Sequence, residues 1–295
     1  SNYLEKDWSQ IALRVARHVA SAEILYTQDI LKIREAEATF YDLIQARVFL
    51  PNSPTLFNCG KTMKRELFEK PLTEMSIDDY KEIFSSRTHH NMLSACFVVP
   101  MDDSMNGIFD AVKNAALIMK YGGGVGYDFS ALRPRGSSIA GTGGKSSGPI
   151  SFMHVFNTSA STIEQGGARR AAQMAVLNYR HPDVLDFINA KKDNDGKSVL
   201  NYFNISVNID NKQEFLQSLE NDGEIELFHK DSNIRKTVKA AELLDKITSN
   251  AWKSGDPGML FLGEHNKFYA MADHTPVCST NPCGEIPLCP YDSCR

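Results

Sequence analysis

The chain has 295 residues, 42% hydrophobic and 23% charged, enough apolar mass for a sizeable core in one large domain or one domain with a small appendage. Its 32 basic and 36 acidic residues leave a formal net charge of −4, so no whole-chain basic field argues for nucleic-acid binding. No uninterrupted apolar run is long enough to span a bilayer, and the charged opening Ser1 to Trp8 lacks the apolar core of a signal peptide. A soluble, cytoplasmic protein without membrane association is the expectation. The chain starts without Met and stops directly after a dense motif, so a fragment is expected.

The first element is a helix. Trp8, Ile11, Ala12, Val15, Ala16 and Val19 recur at three- and four-residue intervals and form one apolar stripe. A second helical stretch leads to Phe49-Leu50, and Pro51-Asn-Ser-Pro54 breaks it, because proline removes a donor and disfavours helix before it. The expected division is therefore 1–50 and 51–295. Ala95 to Val99 reads as a short buried strand closed by Pro100. Gly107 to Tyr121 follows as a helix stopped by Gly122-Gly-Gly124, and Ser137 to Gly148 as a mobile Gly/Ser loop. Ile150 to Gln165 is a further helix. His181-Pro182-Asp183 opens another, with proline in a tolerated first-turn position. Phe203, Ile205, Val207 and Ile209 alternate with polar residues as a half-buried strand does, and Val238 to Lys253 is amphipathic. Strands alternating with helices give the fold class as α/β with crossover connections.

Three glycine-rich segments invite a nucleotide reading. Gly122 to Gly126 follows a helix, the wrong order for a dinucleotide fingerprint, and Gly141 to Ser146 has Ile139 where a P-loop needs glycine. Turn chemistry explains both. Backbone amides beside Lys145, Arg133 and Arg135, and again in Gly166-Gly-Ala-Arg-Arg170, also suit an anionic ligand.

Four of the six cysteines, Cys278, Cys283, Cys289 and Cys294, crowd the C-terminal stretch. Pro282, Pro287 and Pro290 forbid a helix there, which predicts an extended loop. In an extended chain Asn281, Cys283 and Glu285 present an amide, a thiol and a carboxylate on one side. A thiol can carry a radical, a carboxylate can take a hydroxyl proton, and an amide can fix hydroxyls, so the trio suits radical chemistry on a hydroxylated substrate. Two other readings stand beside it. The cysteines can ligate zinc or an iron–sulfur cluster, as a cysteine-rich metal-binding module, although compact C-x-x-C knuckles are absent. They can also be simple packed or exposed thiols.

Asn281-Pro-Cys-Gly-Glu-Ile-Pro-Leu288, followed by Pro290-Tyr291 and Cys294, closely resembles the finger-loop signature of ribonucleotide reductase catalytic subunits. Leu50 to Leu56, Leu93 to Phe97, Gly122 to Arg135, Gly141 to Pro149 and Gln165 to Ala172 resemble the same family in the same order, so the likeness runs from roughly residue 45 to the end. The resemblance implies the first half of a ten-stranded α/β barrel after a short N-terminal helical segment. It implies thiyl-radical reduction of ribonucleotides to 2′-deoxyribonucleotides, for DNA synthesis. Cys283 then corresponds to the thiyl cysteine acting at C3′, Glu285 to the base on the 3′-hydroxyl and Asn281 to the amide holding hydroxyls. Cys96 corresponds to the reducing thiol at C2′ and Cys294 to its disulfide partner. Cys59, Cys278 and Cys289 have no family role and read as structural. The resemblance also implies substrate contacts from Ser53, Thr55 and Ser94, and contacts to a deoxynucleotide effector from Asp103 and Arg133. Gln165 and Arg169 fall in the loop that relays effector identity.

The wording is most similar to the adenosylcobalamin-dependent, class II enzymes, whose activity is that of a vitamin B12-dependent ribonucleoside-diphosphate reductase. The alternative is a class I large subunit whose radical comes from a small subunit. Implied partners are the ribonucleotide, a dNTP effector, a thioredoxin-like or glutaredoxin-like reductant, the C-terminal half of the barrel and a second copy in a homodimer. No metal ligands are expected, and the isolated chain is expected to be inactive.

Overall fold

A computed structural model describes residues 5–86, 92–139, 143–163, 171–192 and 196–294. They gather into two compact units, 1–95 and 96–294.

The first unit is helical: α1 (Trp8–Ala20), α2 (Ile30–Gln45), α3 (Ser53–Asn58), α4 (Arg65–Glu69) and α5 (Ile77–Ser85). The Asp7 carboxylate accepts the Gln10 N–H and starts α1, whose predicted stripe buries Ala12, Val15 and Ala16. Polar residues tie the unit together from within. The buried Arg17 guanidinium meets Glu37 at 2.8 Å and donates to the Leu67 carbonyl at 2.6 Å. The Tyr80 hydroxyl donates to the other Glu37 oxygen at 2.6 Å. Arg14 of α1 donates to the carbonyls of Leu56 and Cys59. The proline segment 51–54 runs into the first turn of α3, with Asn52 as its N-cap, inside this unit.

The second unit carries β1 (Cys96–Val98), α6 (Met105–Lys120), β2 (Gly124–Asp128), α7 (Pro149–Thr162), β3 (Gln173–Asn178), α8 (Val184–Asn189) and β4 (Phe203–Asn208). It continues through α9 (Lys212–Glu220), β5 (Glu224–Phe228), β6 (Arg235–Lys239), α10 (Ala240–Ser254), β7 (Gly258–Leu260), α11 (Leu262–Phe268), β8 (Ser279–Thr280), β9 (Pro287–Leu288) and β10 (Ser293–Cys294). The main sheet has the order β10-β1-β2-β3-β4-β7, in which β1, β2, β3, β4 and β7 are mutually parallel and β10 runs antiparallel on the β1 edge. The α/β expectation is met: each parallel step returns through helix, as crossover geometry requires.

Both faces of this sheet are covered, and the two faces differ. On the helix side Tyr127, Phe129, Phe156 and Phe203 interlock, with Tyr127 and Phe156 centroids 4.8 Å apart at 63°. On the other side Met174 and Val176 of β3 pack with Leu262, Val277 and Cys289. Strand β3 is therefore apolar without a break from Met174 to Leu177 and shows no alternation, so periodicity does not reveal it. Strand β2 escapes for a related reason. Val125 and Tyr127 point to the helices, while Gly124 and Gly126 line the opposite face, where the sequence suggests only turn chemistry. A Cβ on Gly124 would lie 2.5 Å from Cγ of Pro282, and one on Gly126 would lie 1.8 Å from the Thr280 carbonyl oxygen. These glycines let the 279–288 segment lie directly on the sheet.

That segment departs from the expected extended loop. It is a hairpin in which β8 and β9 pair Ser279 with Leu288 and Thr280 with Pro287. The predicted Gly/Ser loop is likewise hydrogen-bonded where it is described. The Gly136 N–H donates to the Ser146 carbonyl, Ser146 N–H to Ser137 and Ile139 N–H to Gly144, forming a ribbon with Ser138 opposite Lys145. No described helix is long and apolar enough to cross a membrane.

Candidate active site

Strand β1 begins at Cys96, and β10 lies beside it with Cys294 as its direct partner. Partners across an antiparallel pair stand about 4.5–5.5 Å apart at Cα, inside the about 4.4–6.8 Å window for a disulfide. Both cysteines are free thiols here. Burial pushes the Cys96 thiol up to about 12, with Cys294 and Glu285 adding to the rise and the Asn281 amide opposing it. The Cys96 thiol is therefore protonated at neutral pH, and the strand register sets Cys294 at a separation a disulfide can span.

The hairpin turn brings a third group to the pair. Asn281 is fully buried, and its Nδ2 donates to Cys96 Sγ at 3.6 Å. Its side-chain carbonyl accepts the Ile286 N–H at 3.0 Å, and its backbone carbonyl accepts the Gly284 N–H at 3.0 Å. Asparagine, proline and glycine at the first, second and fourth places of the turn are residues β-turns favour, and Gly284 takes φ 84°. The Asn-Pro-x-Gly spacing was thus a readable turn signal. Because the chain turns, Asn281, Cys283 and Glu285 do not share a face by strand alternation. Asn281 points inward to Cys96, whereas Glu285 and Cys283 are exposed.

Cys283 borders a cleft of about 420 Å³ lined by Met174, Asn204, Ser206, Asp256 and Met259. Asp256 is held on one wall, accepting the Ile205 N–H at 3.1 Å and facing Lys191 Nζ at 3.2 Å. Asn204 donates to the Pro282 carbonyl at 2.8 Å. Nothing in the sequence marked Asn204, a polar position on an alternating strand.

The expected effector residues Asp103 and Arg133 meet, with Arg133 Nε 2.6 Å from the Asp103 carboxylate. Arg133 sits at the base of the Gly136–Ser146 ribbon and reaches the Ser138 carbonyl at 3.4 Å. Asp183 accepts the Arg135 N–H at 2.8 Å, and His181 Nε2 lies 2.9 Å from the Leu132 carbonyl oxygen, which fixes that base. Gln165 and Arg169 lie outside the described residues. Ser53, Thr55 and Ser94 belong to the first unit. There Ser53 opens α3, and Thr55 Oγ1 donates to the carbonyl of Leu93, next to Ser94, at 2.8 Å.

The cysteines do not gather as a metal module would need. Cys96 pairs with Cys294, whereas Cys289 Sγ packs against the Tyr269 hydroxyl at 3.3 Å. Among the described residues no group of three or more His, Cys, Asp or Glu side chains could hold a metal ion.

Comparison with known proteins agrees with this arrangement. Residues 94–295 match the family model "Ribonucleotide reductase, barrel domain", and residues 1–64 match "Ribonucleotide reductase, all-alpha domain". The chain is similar to a vitamin B12-dependent ribonucleoside-diphosphate reductase of Thermoplasma acidophilum, 42% identical over 87% of this chain and 29% of that protein. A relative of the same name from Mycobacterium tuberculosis is 39% identical over 96% of this chain and 36% of its own length. A ribonucleoside-diphosphate reductase large chain of Neurospora crassa is 29% identical over 97% of this chain and 30% of its own length. The chain therefore spans about a third of the length of the curated relatives it matches. With the parallel sheet, the paired thiols and the barrel match over residues 94–295, this chain belongs to the ribonucleotide reductase family.

Proposed function

We propose that the polypeptide containing this chain acts in the cytoplasm and reduces ribonucleotides to 2′-deoxyribonucleotides through a thiyl radical on Cys283. The observation that carries the reading is Cys96 facing Cys294 in register. Loss of the 2′-hydroxyl as water takes up two hydrogens, and two thiols closing into one disulfide release two. The sulfur radical of Cys283 takes hydrogen from C3′ and returns it at the end of the cycle, so it is not consumed. Glu285 removes the 3′-hydroxyl proton as general base, and Cys96 delivers hydrogen at C2′. Asn281 orients the Cys96 sulfur through an N–H···S contact. Sulfur is a weak acceptor, so a sugar hydroxyl competes well for that N–H and is thereby positioned.

Adenosylcobalamin fits what this chain offers: Cys283 is exposed, and Asn204, Ser206 and Asp256 form a polar wall beside it that would hold a nucleoside portion. When bound, the cofactor supplies the unpaired electron that Cys283 carries. The vitamin B12-dependent relatives favour it over the alternative, a radical from a separate small subunit.

Ser53, Thr55 and Ser94 contribute to the substrate pocket. Asp103, Arg133, Gln165 and Arg169 bind or relay a dNTP effector, with the Gly136–Ser146 ribbon offering its amides to phosphate. A thioredoxin-like or glutaredoxin-like protein reopens the Cys96–Cys294 disulfide. The chain supplies the first half of the barrel to the whole enzyme, which works as a homodimer.

The test uses the full-length polypeptide with cobalamin, dithiol and a 3′-tritiated nucleoside diphosphate, with the triphosphate in parallel. Cys283→Ser should abolish tritium release and turnover alike. Cys96→Ser should keep tritium release while losing deoxynucleotide formation. Full activity in both variants would remove the assignment.

A further inference from the structure

We infer that Asn204 is a positioning residue for the Cys283 thiol, an inference that rests on the reading of Cys283 as the radical-bearing cysteine. On β4, Phe203, Ile205 and Val207 fill the helix-side core, which turns Asn204 and Ser206 toward the face bearing the hairpin. Asparagine is disfavoured in strands, and packing gives no reason for one in a position that is exposed. Its amide has one specific use: Nδ2 donates to the Pro282 carbonyl at 2.8 Å. That carbonyl belongs to the peptide joining Pro282 to Cys283, so its orientation decides where the Cys283 Cβ–Sγ bond leaves the backbone.

The same peptide is held from two other sides. The Pro282 ring rests on the bare face of Gly124, where a Cβ would come within 2.5 Å, and the Gly284 N–H closes the turn on the Asn281 carbonyl. The glycine contact fixes how deep the turn sits, and the turn bond fixes its curvature. The Asn204 grip opposes rotation of the Pro282–Cys283 peptide about the chain. Asn204 and Cys283 line the same cleft, so the residue that orients the thiol stands where the radical must arrive and leave.

The experiment compares Asn204→Ala, Asn204→Asp and Asn208→Ala in the full-length polypeptide, with thermal melts confirming that each is folded. Asn208 is the control: it accepts the Leu262 N–H at 3.1 Å at the other end of the same strand. Two quantities are read: the rate at which iodoacetamide alkylates Cys283 in substrate-free protein, and kcat against KM for the nucleotide. Asn204→Ala should shift the alkylation rate by about fivefold, the population change that loss of one ordinary hydrogen bond produces. It should lower kcat by about ten- to a hundredfold with KM within about twofold, as misplacement of a reacting group does. Asn204→Asp should do more, because its carboxylate faces the Pro282 carbonyl oxygen. Asn208→Ala should change neither quantity.

The inference is overturned if both Asn204 variants alkylate and turn over as wild type, or if Asn208→Ala reproduces their changes. An active Cys283→Ser variant alongside an altered alkylation rate in Asn204→Ala would instead defeat the radical assignment and leave the positioning intact.

Discussion

Gly126→Ala is a sharp perturbation of the candidate site, because it adds one carbon where the hairpin lies against the sheet. The new Cβ would lie 1.8 Å from the Thr280 oxygen, 3.0 Å from the Thr280 carbonyl carbon and 3.2 Å from Ser279 Oγ. Carbon–oxygen contacts settle at about 3.3 Å or more, so the hairpin must retreat by roughly 1.5 Å. The obstacle is backbone, with Ser279 and Thr280 fully buried and paired to β9, so no rotamer change relieves it. Overpacking of this kind costs about 1–3 kcal/mol, and a rigid obstacle puts it at the upper end. Carrying the Cys283 turn about 1 Å off its place should cost about a hundredfold in kcat. Urea unfolding and turnover of the full-length enzyme measure the two effects. Gly122→Ala is the comparison, since Gly122 has φ 88° with nothing within 4 Å of a Cβ. It should cost about 1 kcal/mol of backbone strain and leave kcat alone. If Gly126→Ala matched Gly122→Ala in both assays, the account of glycine as clearance for the hairpin would fail.

Four further outcomes are expected. Glu37→Ala strands the buried Arg17 and leaves the Tyr80 hydroxyl without its acceptor; denaturant titration should show a loss of about 3–5 kcal/mol, and a loss below about 1 kcal/mol would show that the network contributes little. Asp128 is raised by burial from 3.8 to about 6. For an acid with a raised folded pKa, stability is full below the unfolded value and falls as pH rises through the folded one. Asp128→Asn should therefore stabilise by about 1–3 kcal/mol at pH 8 and not at pH 3.5, and equal gains at both would contradict the burial argument. Finally, diamide should join Cys96 to Cys294, detectable as a cross-linked peptide pair; a map linking Cys96 to any other cysteine contradicts the strand register. With its pKa near 12, Cys96 is about one part in 10⁴ thiolate at pH 8, so iodoacetamide should label the exposed Cys283 well before it.

Elements whose environment repeats along the chain were legible without a structure. The three- and four-residue stripe of α1 and the apolar positions Phe203, Ile205 and Val207 of β4 face the core as their spacing indicates, and the glycine stop after α6 marks a left-handed backbone at Gly122. Strands β2 and β3 are covered on both faces and have no such contrast to display. The three prolines exclude a helix without distinguishing an extended loop from a hairpin, and the Asn-Pro-x-Gly spacing is what marks the turn. Arg14 and Arg17 look like surface charges in any one-dimensional reading, yet both are buried and hydrogen-bonded to carbonyls more than one element away.

The sequence by itself determined the chemical inventory: an amide, a thiol and a carboxylate within Asn281 to Glu285, a second thiol at Cys96 and a third at Cys294. It also determined the α/β alternation, through side-chain periodicity and the residues that cap and break helices. Only the tertiary structure decided which groups meet. Cys96 reaches Cys294 because β10 returns antiparallel along β1, and Asn281 reaches Cys96 because Gly124 and Gly126 leave β2 bare for the hairpin. Register and clearance arise between segments far apart in the chain, where no local spacing can encode them.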